Sequence, residues 1–365
     1  MSTETDRRGE AGHGRHLAGL GEVVEAHRFD VGALERYLER HVEGFSGRLD
    51  VQQFLGGQSN PTYCLSAGGH RYVLRRKPPG KLLPSAHAVE REFRVIAALS
   101  GTGVPVPRAY ALCEDPGVIG TPFYVMEYMP GRILSDPSLP ELSPEERAHI
   151  YDHMNEVLAR LHRLDWQALG LSDFGRPGNY YARQIHRWTS QYRASETEKI
   201  EAMERLMEWL PTHIPEDDRT TLVHGDFRVG NTVVHATEPR LVAVLDWELS
   251  TLGHPFADLA YNCLPYRLSP IEFDGFLGED LAKLGIPSEE AYLAAYCRRT
   301  GRDSIPHWDF YIAFAMFRLA GIAQGIMGRA IAGTANAPNA RERGARARPL
   351  AETGWALVRD RYGLS

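Results

Sequence analysis

The sequence predicts an α+β protein of two lobes, a small first lobe built on an antiparallel sheet and a larger, mostly helical second lobe. Three observations lead there. Between about residue 49 and residue 128 the apolar residues come in short runs broken by glycine and proline, as strands do. Within that stretch one segment, AVEREFRVIAAL, has helical spacing, with Val89, Phe93, Ile96 and Ala97 on one face. After Pro130 the pattern turns helical, interrupted by short apolar runs between residues 221 and 248.

The elements follow in order. Residues 1–28 are expected to form a disordered tail, because the first twenty are rich in Gly, His, Arg and Glu and offer little to bury. The first lobe spans 29–129. Asp30 caps a leading helix through LERYLERHV, in which Leu34, Tyr37, Leu38 and Val42 share a face. LDVQQFLGGQSNPTYCLSAGG then reads as strand, glycine-containing turn and strand, and HRYVLRRK as a third strand. FYVMEY, at 123–128, is a buried strand that MPG ends. The second lobe spans 130–365. Ser143 followed by Pro144, Glu145 and Glu146 opens a helix through HIYDHMNEVLARLHRL, with proline in its first turn and acids at its positive end. The chain is helical again from about 280, and TANAPNARERGARARP at 334–349 is expected to be a flexible connection. No internal repeat is visible.

Composition narrows the class. With 43% hydrophobic and 24% charged residues in 365, the chain is an ordinary globular one. A net charge of −6 points away from nucleic acid and from anionic membranes, and no protein partner is evident. Cys64, Cys113, Cys263 and Cys297 are dispersed, with no CxxC pair and no zinc-spaced histidines, so reduced thiols are expected. The reading finds no apolar run of the ~20 residues a membrane span needs. The start, MSTETDRRGEAGHGRH, lacks the apolar core of a signal peptide, also after Arg7 and Arg8, so a cytoplasmic location is expected.

The chemistry concentrates in HGDFRVGN, residues 224–231, and VLDWE, residues 244–248. Apolar, strand-like residues precede both, which places Asp226 and Asn231 on a loop and Asp246 at the end of a neighbouring strand. Phosphoryl transfer asks for such a set: one carboxylate to orient an attacking hydroxyl and take its proton, and an amide oxygen with a second carboxylate to hold Mg²⁺.

Together with GHPFADLAY, these motifs resemble the aminoglycoside phosphotransferase and choline kinase superfamily. More closely, they resemble the phosphotransferase domain related to that fused ahead of acyl-CoA dehydrogenases in some eukaryotic proteins. GGQSNPTY, YVLRRKPPGKLLPSAHAVEREFRV and FRLAGIAQGIMGRA belong to the closer pattern, and the likeness runs from about Leu49 to about Arg359. It implies a two-lobed protein-kinase-like fold, ATP and Mg²⁺ as cofactors, and transfer to a hydroxyl of a small molecule.

The resemblance also implies roles. Asp226 is the catalytic base; Asn231 and Asp246 hold the metal. Gly57, Ser59 and Asn60, with Gly56, form a turn whose amides approach phosphates, although a plain hairpin has the same look. Arg75 stands where protein kinases and aminoglycoside enzymes carry a lysine, and its fork suits phosphate. Its anchor is Glu92, with Glu90 the competing choice on another helix face. The Glu127 carbonyl and the Met129 amide face adenine, with Met126 at the back. His224 and Asp258 brace the catalytic loop. Glu248 helps with a second metal, faces substrate or is structural. Arg318, Arg329 and the arginines at 341–347 meet an anionic handle or are merely solvated. Lys77 and Lys81 cover the nucleotide or belong to a surface loop. For the acceptor the closer likeness points to a hydroxyacyl thioester; sugars, amino alcohols and antibiotics stay open. Two other classes remain: a nucleotide-binding pseudokinase scaffold, and a hydrolase using metal-bound water.

Overall fold

A computed structural model describes residues 19–55, 60–80, 87–335 and 339–364. In the N-lobe, β1 (Leu20–Gly21), β2 (Asp50–Phe54), β3 (Thr62–Ala67), β4 (His70–Arg76), β5 (Ala109–Cys113) and β6 (Phe123–Glu127) form an antiparallel sheet in the order β1-β2-β3-β4-β6-β5. α1 (Val31–His41) covers one face and α2 (Val89–Leu99) the other. Period-2 alternation sorts the side chains. Tyr72 and Leu74 of β4, with Phe123 and Val125 of β6, join Leu34, Tyr37 and Leu38 of α1 in one core. Val73, Tyr124 and Met126 turn the other way, towards Val95, Ile96 and the C-lobe core. The same alternation decides between the paired arginines. Arg75 shares the face of Val73, and Arg76 lies over the Phe29 ring on the α1 side.

The C-lobe carries α3 (Pro144–His162), α4 (Tyr180–Ala194) and α5 (Glu201–Trp209). Strands β7 (Thr221–Val223), β8 (Thr232–Val234), β9 (Leu241–Val244) and β10 (Thr251–Gly253) follow. The chain closes with α6 (Pro255–Cys263), α7 (Pro270–Phe273), α8 (Leu281–Leu284), α9 (Glu289–Thr300), α10 (Trp308–Ile331), α11 (Ala340–Ala345) and α12 (Ala347–Tyr362). β8 pairs with β9 and β7 with β10, both antiparallel. Two caps read from the sequence are formed. Asp30 accepts from the Ala33 amide, and Ser143 and Glu146 make a reciprocal capping box.

Three expectations change. The described part of the tail expected over residues 1–28 includes a strand. Leu20 and Gly21 pair with β2, and the Val24 amide donates to Gln53 at 3.1 Å, so a few apolar residues suffice once a strand edge is available. The segment 334–349, expected to be a flexible connection, is helical from Ala340, with Ala340, Gly344 and Ala347 buried. A Cβ at Gly344 would sit 2.7 Å from the Met327 side chain, so small residues there let α11 lie close on α10. Finally, α10 is long and apolar enough to cross a membrane by length and composition, although the sequence reading found no such run. Most of it is buried in the C-lobe, and a helix with protein on every side is apolar all round. All four cysteines are buried and unbridged.

Candidate active site

The catalytic loop begins where β7 ends. Gly225 takes φ +86, and a Cβ there would meet the Leu249 carbonyl at 2.6 Å, so the turn needs glycine. Asp258 of α6 accepts from the His224 amide at 2.5 Å and the Gly225 amide at 2.7 Å. Burial alone would raise the Asp258 pKa; the nearby His162 and His224 and the loop amides hold it below the usual carboxylate range. The Gly225 carbonyl accepts from Arg318 at 2.8 Å. The His224 ring caps the Asp226 amide at 3.2 Å and reaches the Leu245 carbonyl at 2.9 Å, so it ties the loop to the strand carrying Asp246.

This frame presents Asp226 at the cleft. Asn231 Nδ2 donates to Asp226 Oδ2 at 2.7 Å and to its carbonyl at 2.9 Å. With that nitrogen committed, Asn231 Oδ1 is the oxygen left for a cation. The Leu245 amide donates to the Asn231 carbonyl at 2.8 Å, which sets Asp246 beside the pair. Asp246 is in the left-handed region, φ +65, an unfavourable state for a non-glycine residue that its surroundings must enforce. Arg75 meets Asp246 from across the cleft, with both terminal nitrogens 3.1 Å from Asp246 Oδ1.

Arg75 is also 3.3 Å from Glu92, whose side chain is fully buried. Burial opposes the Arg75 charge, but Glu92, then Tyr124 and Asp246, hold it firmly protonated. Burial pushes Glu92 up, against the pull of Arg75 and of hydrogen bonds from Tyr124 and Asn60. Glu90 instead pairs with Lys77 at 3.0 Å, so the helix face resolves the choice in favour of Glu92. Asn60 is 2% exposed, donating to Glu92 at 2.8 Å and bonded to His87 at 2.9 Å; its side chain braces the ion pair from behind rather than reaching a phosphate. Gly56, Gly57, Ser59 and Lys81 lie outside the described residues.

Glu127 ends β6 opposite Tyr72, and Met129 follows in the link between lobes. The Met129 amide makes no hydrogen bond among the described residues. Met126, just before Glu127 on β6, is buried and pairs with Val73.

The sequence reading passed over several residues. Tyr261 lies three residues after Asp258 on α6; burial, then the charge of Asp226 and a hydrogen bond to it, push its phenol up. Arg228 stands 3.4 Å from Asp226. His162, from α3, meets Asp258 at 3.5 Å. The i, i+3 spacing of Asp258 and Tyr261 was the one local signal for the first; none exists for His162. Arg318 had been considered as a contact for an anion. It is buried, bonded to the loop and flanked by Trp188 and Tyr261.

A carboxylate held by an amide, a second carboxylate beside them and an anchored arginine, set between a small sheet lobe and a helical lobe, are what a phosphotransferase of the protein-kinase-like class presents. The chain belongs to the family described as "Phosphotransferase enzyme family", whose model matches residues 50–314. It is 52% identical over 327 residues to the mouse protein "Acyl-CoA dehydrogenase family member 10", covering 88% of this chain and 30% of that one, so it spans about a third of that relative. A solved structure from Ralstonia eutropha, whose assignment as an aminoglycoside phosphotransferase is provisional, is 55% identical with a TM-score of 0.85 over 91% of this chain and 99% of that one. A thermostable variant of an aminoglycoside phosphotransferase, solved with ADP and hygromycin B, shares the fold at 16% identity and TM-score 0.57, over 89% of this chain and 98% of its own.

Proposed function

We propose that this phosphotransferase moves the γ-phosphate of ATP, with Mg²⁺, to a hydroxyl of a small molecule joined to an acyl thioester. The observation that carries the transfer reading is the Arg75 bridge. A buried, charged guanidinium between Glu92 and Asp246, with its Nε lacking a hydrogen-bond partner among the described residues, is an arrangement suited to phosphate oxygens.

The donor set fits the cofactors. Among the described residues no group of three or more His, Cys, Asp or Glu is placed to hold a metal. Asn231 and Asp246 supply two oxygens, which suits an ion that takes the rest of its shell from phosphate and water. Mg²⁺ there would neutralise phosphate charge. Asp226, oriented by Asn231, receives the proton of the acceptor hydroxyl. Arg75 holds the donor's phosphates, and the Met129 amide and Glu127 carbonyl take adenine. ADP bound in the hygromycin enzyme supports this use of the fold.

The acyl-thioester part rests on the relative whose name is that of an acyl-CoA dehydrogenase and which contains a matching segment. ATP consumption with Mg²⁺ should rise when hydroxyacyl-CoA thioesters are added, and less with sugars, choline or aminoglycosides. If no hydroxyl compound raises it, a nucleotide-binding scaffold replaces the enzyme reading. If only a sugar or an aminoglycoside does, the thioester part fails alone.

A further inference from the structure

A second cationic cavity lies behind the catalytic loop, where α2 meets the C-lobe. It measures about 340 Å³ and is lined by Arg91, Asp173, Arg176, Tyr180, Arg183 and Thr251, among others. We propose that this cavity binds a phosphate-class anion that links α2 to the C-lobe.

Charge sets this cavity apart. Arg91 donates to the Phe174 carbonyl at 2.7 Å and lies over the Phe174 ring, but has no carboxylate partner among the described residues. Arg183 gives its nitrogens to the Gly178 and Arg176 carbonyls, which builds the loop and leaves its charge unpaired. The Arg176 side chain makes no ion pair among the described residues and is exposed. The carboxylate in the lining, Asp173, is engaged by Arg94. Asp218, at the loop's far end, caps the Asn179 amide at 2.7 Å. Three arginines thus line one cavity whose lining holds a single acid, already paired with Arg94. Burial, then the nearby Arg94, push the Arg91 pKa down, against the pull of Asp173 and Glu90. Tyr180 and Thr251 add hydroxyls, so a tetrahedral oxyanion would find both charge and donors.

The position gives the site a purpose. Arg91 precedes Glu92, the anchor of Arg75. Thr251 pairs with Val223, three residues before Asp226, and Arg91 also reaches the Ser250 carbonyl at 3.4 Å. An anion here touches both the helix that orients the nucleotide's cation and the strand that follows Asp246.

The test is calorimetric titration of inorganic phosphate, and separately of phenyl phosphate, into full-length protein saturated with Mg²⁺ and the non-hydrolysable analogue AMP-PNP. Wild type should show one site. Arg176→Glu, at a side chain with no partner to lose, should weaken it at least about tenfold, and Arg91→Gln should weaken it too. AMP-PNP affinity should stay within about twofold in Arg176→Glu. Tighter phenyl phosphate would identify a phosphate group on a larger molecule as the occupant; tighter inorganic phosphate, the free ion. No binding in the wild type, or equal binding in Arg176→Glu, overturns the proposal. The wild-type and variant comparison reads this site whether or not the nucleotide binds, so its failure is separate from a failure of the phosphotransfer reading.

Discussion

Arg75 gives both terminal nitrogens, each at 3.1 Å, to a single oxygen of Asp246. One residue belongs to the N-lobe sheet and the other to the end of a C-lobe strand, so the contact spans the cleft. It joins the group suited to phosphate to the group suited to the metal. A magnesium–nucleotide complex would replace this contact with phosphate on one side and a cation on the other.

Phosphate recognition by Arg75 has a specific signature. Arg75→Ala should weaken ATP by about 1.5–3 kcal/mol, the size of charge-assisted hydrogen bonds, while adenosine binding changes little. Arg75→Lys should recover part of the loss, since charge survives without the fork. Glu92→Gln should be a milder form of the same defect. Glu90→Gln should be near neutral, because Glu90 holds Lys77. Titrating ATP and adenosine against the four variants checks it, and equal losses for both ligands would reduce Arg75 to a structural part.

Asp226→Asn keeps the shape and the bond to Asn231 while removing the proton acceptor. Turnover should drop roughly a hundredfold or more, with nucleotide affinity little changed. Steady-state rates and a nucleotide titration measure the two; near-normal turnover removes Asp226 from the role of base.

Asp246→Ala takes away the carboxylate offered to Mg²⁺. Mg²⁺-dependent ATP affinity should fall at least about tenfold, or about 1.4 kcal/mol, and turnover with it. Isothermal titration with and without Mg²⁺ decides it, since unchanged Mg²⁺ dependence would leave Asp246 as only the partner of Arg75.

Gly225→Ala should destabilise the fold by about 1–3 kcal/mol. Its φ of +86 and a 2.6 Å approach to the Leu249 carbonyl forbid a side chain without movement of the catalytic loop. Denaturant unfolding reads the stability, and turnover should fall beyond what the lost stability explains.

The pH dependence of stability should carry a term from His254. Its ring is 1% exposed, accepts from the Phe256 amide at 3.2 Å, and leaves Nε2 without a hydrogen bond among the described residues. Burial, against a small pull from Asp217, pushes its pKa down to about 4. The unfolded chain takes up a proton near pH 6.5, whereas the folded one waits until about pH 4. The unfolded state therefore binds more protons between these values, and stability falls as pH falls through the window. The slope is at most about 1.4 kcal/mol per pH unit, roughly 3 kcal/mol in all. His254→Asn keeps a cap and removes the titration, so its urea-unfolding stability should lose less between pH 7 and pH 4. Parallel profiles would assign the acid sensitivity elsewhere.

By itself the sequence determined the parts whose physics is local. Asp30 and Ser143 announce helix starts because caps act within three residues, and Asp226 and Asn231 share one loop five residues apart. Alternation and glycine turns show most of the N-lobe strands. β5, a short Ala- and Tyr-containing segment, was not read, since its pairing with β6 comes from a distant part of the chain. The resemblance had named Arg75 and Glu92, and the tertiary structure supplied the physical reason: Arg75 faces the cleft while Arg76 lies on the α1 side, Glu92 meets Arg75 while Glu90 pairs with Lys77, and Asn60 stands behind the pair. Register and helix phase settle those, and a shift by one residue reverses them. It also decided the Arg75–Asp246 bridge, the hold of Arg318 on Gly225, and the meeting of Arg91, Arg176 and Arg183. Arg75 and Asp246 lie 171 residues apart in different lobes, and only the folding of one lobe onto the other brings their charges within reach, whereas Arg318 and Gly225, 93 residues apart, meet within the C-lobe.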